Sequence, residues 1–347
     1  MINICYITDN NYIIPTMTSI ISILKNCNSC GNIFVLSDCL KQGAIKQFEN
    51  LSNKKFKIIA RNIENPTSKI ETHHKYVSNC AMIKFLLPDI FNDIDKILYI
   101  DGDTLILQDL SELFYIDTTD TYAAVVKDMD AMLGPCHHHK KFNFDNYFNS
   151  GMMLLNLKKM RDDNIQEQLI KNKCEDKFKV FMDQDALNKT FNQNVIFISP
   201  KYNLMKANLK FTEERISQFY DLDIRKIRNI IKKPTILHLT NIIKPWNSIF
   251  AVEFNIWFSY LKKIPNSELK QKTMKKLKSQ KEKLFLKQIF SVKNSDDKKH
   301  KVITIFGLKF KFKSKKLIDR AKYENLEKRL NALINEVNTI KNSVEVK

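Results

Sequence analysis

An α/β fold built on a doubly wound, mostly parallel sheet flanked by helices is what the sequence predicts, on three observations. Short apolar runs alternate with helix-periodic segments through roughly the first 125 residues. Further apolar runs of strand length recur at 122–126, 150–157 and 235–239. A chain of 347 residues with 44% hydrophobic composition is also long enough to bury a full core.

Taken in order, Ile2 to Ile7 reads as the first strand, followed by a helix opening near Pro15. Met17, Ile20, Ile21 and Leu24 share one face of that helix, which should pack on the sheet. Ile33 to Leu36 is a second strand, residues 41 to 52 a helix and Phe56 to Ala60 a third strand. A helix is expected over 79–91, then a strand Lys96-Ile97-Leu98-Tyr99-Ile100 that meets two aspartates and resumes at Thr104-Leu105-Ile106-Leu107. Residues 183 to 191 suit a short helix. With six glycines and no internal repeat, the chain has no Gly-rich phosphate loop of either common type, so phosphate must be bound another way.

The formal charge of +19 is unevenly distributed. Residues 261–347 hold 25 Lys and Arg against 9 Asp and Glu, leaving 32 against 29 for residues 1–260. A nearly neutral body with a cationic tail fits attachment to an anionic surface better than nucleic-acid binding, so no nucleic-acid partner is expected. The division is residues 1–261 as the catalytic domain, 262–316 as a basic membrane-associating tail and 317–347 as a short coiled-coil helix. A basic helix is expected over 267–290 and a Lys/Asp/Asn linker over 293–301. Val302 to Phe312 alternates as one amphipathic strip, with Val302, Thr304, Phe306, Leu308, Phe310 and Phe312 on one face. Tyr323, Leu326, Leu330, Leu333, Val337, Ile340 and Val344 form a heptad seam through which the chain would form a homo-oligomer. No export signal or spanning segment is visible, which predicts a cytoplasmic protein, peripheral on the cytoplasmic face of the inner membrane. The seven cysteines are odd in number and irregularly spaced, which predicts reduced thiols.

Asp101-Gly102-Asp103 lies where an apolar strand meets the sheet edge, and an i, i+2 carboxylate pair at a bend can aim at one hard cation. Manganese also accepts imidazole, and a cation bridging carboxylates and a diphosphate acts as a Lewis acid. The same triplet is compatible with a polar strand end capped by turn-forming aspartates. His238, after Pro234-Thr235-Ile236-Leu237, is compatible with a satisfied core histidine, and Lys244 with a solvated loop lysine. The run His137-His138-His139 beside Cys136 reads as a loop, because successive residues rarely converge on one ion.

Five segments together carry a resemblance to glycosyltransferase family 8, a family of retaining enzymes that includes bacterial lipopolysaccharide hexosyltransferases. They are Ile7-Thr8-Asp9-Asn10-Asn11-Tyr12, Ile97 to Thr104 with its Asp-Gly-Asp, Phe148-Asn149-Ser150-Gly151 to Leu157, Asp183-Gln184-Asp185-Ala186-Leu187-Asn188, and His238-Leu239-Thr240-Asn241-Ile242-Ile243-Lys244-Pro245-Trp246. They span roughly residues 1–260 in the family's order. The resemblance implies a GT-A type nucleotide-sugar-binding sheet with a basic C-terminal helical tail appended. It implies Mn2+, with Mg2+ as the alternative, held by Asp101, Asp103 and His238. It implies a UDP-sugar donor whose nucleoside meets Thr8, Asp9 and Asn11, whose diphosphate meets Gly102, Lys84, Asn241 and Lys244, and whose sugar end meets Asn149, Asp183 and Gln184.

Two positions depart from the pattern. Met82-Ile83-Lys84 stands where the family has Tyr-x-Arg, so Lys84 brings one point charge in place of a bidentate guanidinium. Asn241 replaces a glycine before Lys-Pro-Trp. Glutamine is a poor nucleophile, which favours same-face attack by the acceptor as the nucleoside diphosphate leaves. Asp183 is the carboxylate candidate, and its other reading is a helix cap. The expectation is a hexosyltransferase (EC 2.4.1.-) moving galactose or glucose from a UDP-hexose to a glycolipid or oligosaccharide acceptor in lipopolysaccharide biosynthesis. The alternative is a weak or inactive transferase-fold scaffold dimerising through its C-terminal helix.

Overall fold

The structure is a computed structural model that describes residues 1–65, 79–134, 146–175, 182–294, 300–305 and 308–313. The run His137-His138-His139 and the terminal heptad segment lie outside the described residues. One compact unit comprises Met1–Leu277 and a second Lys278–Lys347.

In the first unit the strands are β1 (Ile2–Ile7), β2 (Gly31–Ser37), β3 (Phe56–Asn62), β4 (Lys96–Ile100), β5 (Thr104–Ile106), β6 (Ala123–Lys127), β7 (Phe148–Asn156), β8 (Val195–Phe197), β9 (Leu204–Met205) and β10 (Ile236–His238). Seven of them form a sheet in the order β3-β2-β1-β4-β7-β6-β8. Its neighbours run parallel from β3 to β4, but β7 is antiparallel to both β4 and β6, so the sheet is mostly rather than wholly parallel. Both faces are covered, and the strand residues alternate between two cores accordingly. Ile2, Ile4, Tyr6, Leu98, Ile100, Met152 and Leu154 join the core under the helix Ile13–Asn26. Cys5, Ile7, Ile97, Tyr99, Met153 and Leu155 join the core shared with Met82, Phe85, Leu169, Leu187 and Phe191 on the other face.

The segment expected as one helix over 79–91 is a 3-10 helix over Asn79–Leu86, followed by an α-helical turn over Leu87–Ile90. Pro88 explains the break. It lacks an N–H and its ring clashes with the carbonyl four residues earlier, so a continuous α-helix cannot pass through it. Met82, Ile83 and Phe85 are nonetheless fully buried, which is what the apolar pattern reported.

A second, small sheet has the order β5-β10-β9. β10 pairs antiparallel with β5 and sets His238 opposite Thr104, directly after the Asp101-Gly102-Asp103 turn. Beyond it, Trp257 of the helix Phe254–Leu261 is buried against Trp246, with ring centroids 6.0 Å apart. Trp246 in turn meets Tyr12 edge to face at 5.5 Å. This chain of rings anchors the Lys244-Pro245-Trp246 segment to the first helix.

The basic helix occupies Glu268–Ile289. Leu277 is buried and Leu269 and Met274 pack against the main core, so the compact unit extends past residue 262, where the composition turns basic. Sparse apolar positions on a lysine-rich helix suffice to dock it, and the lysines set the composition without setting the packing.

In the second unit, β11 (Phe290–Asn294), β12 (His300–Ile305) and β13 (Leu308–Lys313) form an antiparallel sheet in that order. The run expected as a single amphipathic strip is therefore a hairpin. Its register pairs Ile303 with Phe310 and Ile305 with Leu308, and Val302 with Lys311 and Thr304 with Lys309. Phe306, expected on the apolar face of the strip, lies outside the described residues.

Candidate active site

The site forms where β4 ends. Asp101 donates its N–H to the Gly151 carbonyl at 2.8 Å, and the Asp101 carbonyl accepts from Thr104 Oγ1 at 2.9 Å, which fixes the turn. Leu239 donates its N–H to the Asp103 carbonyl at 2.9 Å and so ties the His238 strand to it. As a result one carboxylate oxygen of Asp101, one of Asp103 and an imidazole nitrogen of His238 all lie within 4.8 Å of one another. Nε2 of His238 is 3.1 Å from Asp103 Oδ1 and 3.9 Å from Asp101 Oδ2. Lys244 Nζ completes the cluster at 2.8 Å from Asp103 Oδ2.

Two glycines permit this approach. A Cβ on Gly151 would stand 2.3 Å from His238 Cε1 and 2.7 Å from Asp101 Oδ2. A Cβ on Gly102 would stand 2.3 Å from Thr16 Oγ1, so this glycine lets the acidic turn close on the helix Ile13–Asn26. Thr16 donates on to Thr8 Oγ1 at 3.0 Å. Asp9 Oδ1 accepts from the N–H groups of Asn11 and Tyr12 at 2.8 and 3.0 Å, which closes the turn leading into that helix, and Asn11 is exposed. Burial raises the pKa of the Tyr12 hydroxyl, and the charges of Asp103, Asp101 and Asp9 raise it further, so all three carboxylates bear on this ring.

Lys84 is buried and bridges Asp101 and Asp183, at 3.4 and 2.6 Å. Burial opposes its charge, but the two carboxylates outweigh that and raise its pKa. Asp183 Oδ2 accepts in addition from Ser150 Oγ at 2.9 Å. Asp183 lies inside the helix Met182–Phe191, in its first turn, where its carboxylate serves Lys84 and Ser150. Gln184 Oε1 accepts from Asn149 Nδ2 at 3.1 Å and from the Ser150 N–H at 3.0 Å, and Gln184 Nε2 donates to Asp128 Oδ2 at 3.2 Å. Asn241 is half-buried in the turn between His238 and Lys244.

The structure thus brings Lys84, Asp101, Asp103, Asn149, Asp183, Gln184, His238 and Lys244 into one connected cluster, with Thr8, Asp9 and Asn11 reached through Thr16 and Gly102. Three members were not foreseen. Tyr99 donates to Asp101 Oδ1 at 2.5 Å. Asp128 accepts from Asn149 and Gln184 while capping the short helix Met129–Leu133. Its sequence signal, an acid closing an apolar strand, is the one that marks Asp101. Asn203 is fully buried, with Oδ1 2.9 Å from His238 Nδ1 and Nδ2 donating to Asn149 Oδ1 at 2.9 Å. Nothing in its local sequence sets Asn203 apart.

Two carboxylates and an imidazole make a donor set for a hard or borderline divalent cation, and the Lys244 ammonium group beside Asp103 suits the anion it would carry. With a cation bound, the Asn203 amide oxygen at Nδ1 of His238 would hold a proton there and free Nε2 as the ligand nitrogen.

The fold and this cluster define an α/β glycosyltransferase. The chain belongs to glycosyltransferase family 8: the model described as "Glycosyl transferase family 8" matches residues 3–250. Among curated relatives it is similar to a lipopolysaccharide 1,2-glucosyltransferase of Escherichia coli, 29% identical over 254 residues and covering 71% of this chain and 73% of that one. It is also similar to general stress protein A of Bacillus subtilis (strain 168), 27% identical over 255 residues, 69% of this chain and 85% of that one. Among solved structures, the galactosyltransferase LgtC in complex with donor and acceptor sugar analogues matches with a TM-score of 0.66 at 20% identity, over 78% of this chain and 100% of that one. The bifunctional glycosyltransferase WbbM matches with a TM-score of 0.64 at 22% identity, and this chain covers 51% of its length. At such identities the structural matches speak for the fold.

Burial pushes the Asp103 carboxyl up, but Lys244 and His238 more than offset it and hold its pKa well below the ordinary carboxylate range. A folded-state pKa below the unfolded value of about 3.9 gives stability that is present above that pH and lost as pH falls toward the folded value. Urea unfolding of the metal-free protein from neutral pH to about pH 3 should therefore show the wild type losing stability relative to Asp103→Asn below about pH 4. A difference that stays constant across this range would contradict the assignment.

Proposed function

We propose that the chain is a retaining hexosyltransferase that moves galactose or glucose from a UDP-sugar to a lipopolysaccharide, lipooligosaccharide or other glycan acceptor. The observation that carries the reading is the meeting of Asp101, Asp103 and His238 within 4.8 Å beside Lys244. Mn2+, or Mg2+, fits that donor set, and when bound it would supply Lewis-acid stabilisation of a departing diphosphate. The glycine cradle at residue 151 supports the same reading, since any side chain there would enter the space between His238 and Asp101.

The residues divide the work by position. Lys244 offers its ammonium group to the diphosphate, and Asn241 and Gly102 offer backbone close to it. Thr8, Asp9 and Asn11 line the nucleoside end, where the second Asp9 oxygen is left to contact the donor while Oδ1 holds the turn at Asn11 and Tyr12. Lys84 reaches the site from behind Asp101 and forms ion pairs with both Asp101 and Asp183. At the sugar end, Asn149, Asp183 and Gln184 are held by their neighbours. Asp183 Oδ2 is engaged by a lysine and a serine, which lowers its nucleophilicity, and Gln184 is an amide. Both features favour same-face attack by the acceptor over a covalent glycosyl-enzyme.

For the chain beyond the transferase core, the proposal is a basic tail from 262 that binds an anionic inner membrane surface and a terminal helix that pairs with a second copy. Each lysine near such a surface contributes about 1 kcal/mol. Among the described residues no helix is long and apolar enough to cross a membrane. Vesicles containing anionic lipid should bind the full chain in a salt-sensitive manner and should not bind a chain ending at residue 277. Equal binding by the shortened chain would remove the tail's role.

The direct test of the activity is release of UDP from a panel of UDP-sugars in the presence of Mn2+. Release is expected with UDP-galactose or UDP-glucose, falling by about 100-fold or more in Asp103→Asn, as for loss of a group that stabilises developing charge. An inactive scaffold would give no release and no response to that substitution.

A further inference from the structure

A second cluster of ligating side chains lies apart from the acidic site, at the ends of β1 and β2. Asp38 and Cys39 directly follow β2, and Cys80 opens the 3-10 helix Asn79–Leu86. Among the described residues only two groups bring three metal-ligating side chains together, and this is the one that contains sulfur. One carboxylate oxygen of Asp38 and the two Sγ atoms all lie within 4.8 Å of one another. Cys80 Sγ is 3.2 Å from Asp38 Oδ1. Ser37 Oγ lies beneath the pair, 3.6 Å from Cys39 Sγ and 3.7 Å from Cys80 Sγ. The other Asp38 oxygen is oriented by Asn65 Nδ2 at 2.8 Å.

We propose that Asp38, Cys39 and Cys80 form a binding site for a thiophilic divalent cation of the zinc class, held by two thiolates and one carboxylate. The spacing suits it. Zn–S bonds of about 2.3 Å in a tetrahedron put two sulfurs roughly 3.8 Å apart, within the present separation. The acidic site offers oxygen and imidazole and suits a harder ion, so the two clusters select different metals. Binding exchanges the two thiol protons for the cation: M2+, two S–H groups and one carboxylate give the bis-thiolate complex and two H+. A Cys39–Cys80 disulfide is the less favoured use of the pair. Asp38 Oδ1 stands 3.2 Å from Cys80 Sγ as a third ligand, for which a disulfide has no use.

The cluster also touches the segment that begins the donor site. Cys80 Sγ donates to the Thr8 carbonyl at 3.3 Å, and Asn10 Nδ2 donates to the Cys39 carbonyl at 2.9 Å. A cation here would cross-link the end of β2 and the 3-10 helix around the Thr8-Asp9-Asn10 turn. The inference stands on these side chains alone and does not depend on the sugar-transfer reading.

The test is a Co2+ titration of the reduced full-length protein, followed by sulfur-to-cobalt charge-transfer absorption in the near ultraviolet. The expected result is a saturable band at one Co2+ per chain that Zn2+ displaces, that Cys39→Ser and Cys80→Ser each abolish, and that Asp103→Asn leaves in place. Cys39 is exposed, so its serine variant tests the site without disturbing the core even if the buried Cys80→Ser chain fails to fold. Absence of the band, or a band that survives Cys39→Ser, overturns the proposal. So does a Cys39–Cys80 disulfide found by mass spectrometry in protein that shows no band after reduction.

Discussion

The antiparallel pairing of β10 with β5 is the constraint on which the site depends. Three residue pairs suffice to set His238 opposite Thr104, and the next backbone bond, from Leu239 to Asp103, closes the turn against it. A one-residue slip in this short ladder would turn the imidazole to the other face of the sheet. Every later feature of the site, including the reach of Lys244 to Asp103 and the hold of Asn203 on His238, presupposes that register.

Around this pairing the charges are arranged so that none is buried alone. Asp103 lies between an imidazole and an ammonium group, and Lys84 lies between Asp101 and Asp183. Removing one member of such a buried set leaves its partner uncompensated, at a cost of about 3–5 kcal/mol. Asn203, Asn149, Gln184 and Asp128 extend it as neutral and charged hydrogen-bond partners, so the metal-ligand cluster and the sugar-end residues form one network.

Much of this was legible in the sequence. Alternation of apolar runs and helical patterns located six of the seven strands of the main sheet, because strands covered on both faces leave strong local signals, whereas the three-residue edge strand β8 (Val195–Phe197) was missed. Asp101, Asp103, His238 and Lys244 were legible as a set through five ordered segments, although His238 taken singly reads as a core histidine. Less visible were features set by tertiary partners. The 3-10 turn over 79–86 depends on Pro88 acting backward on Lys84, and the docking of the helix Glu268–Ile289 depends on three apolar residues among many lysines. β12 and β13 are both rich in apolar residues and only two residues apart, so the pattern did not separate them into two strands. Asn203 carried no signal at all, since an asparagine is recruited to a histidine by the fold rather than by spacing.

The central claim is that His238, with Asp101 and Asp103, holds a single cation at the donor's diphosphate. The most direct measurement is electron spin-echo modulation of Mn2+ bound together with UDP. The account predicts coupling to one imidazole nitrogen in the wild type and its loss in His238→Gln. A wild-type spectrum without nitrogen coupling, or one unchanged by that substitution, would contradict it.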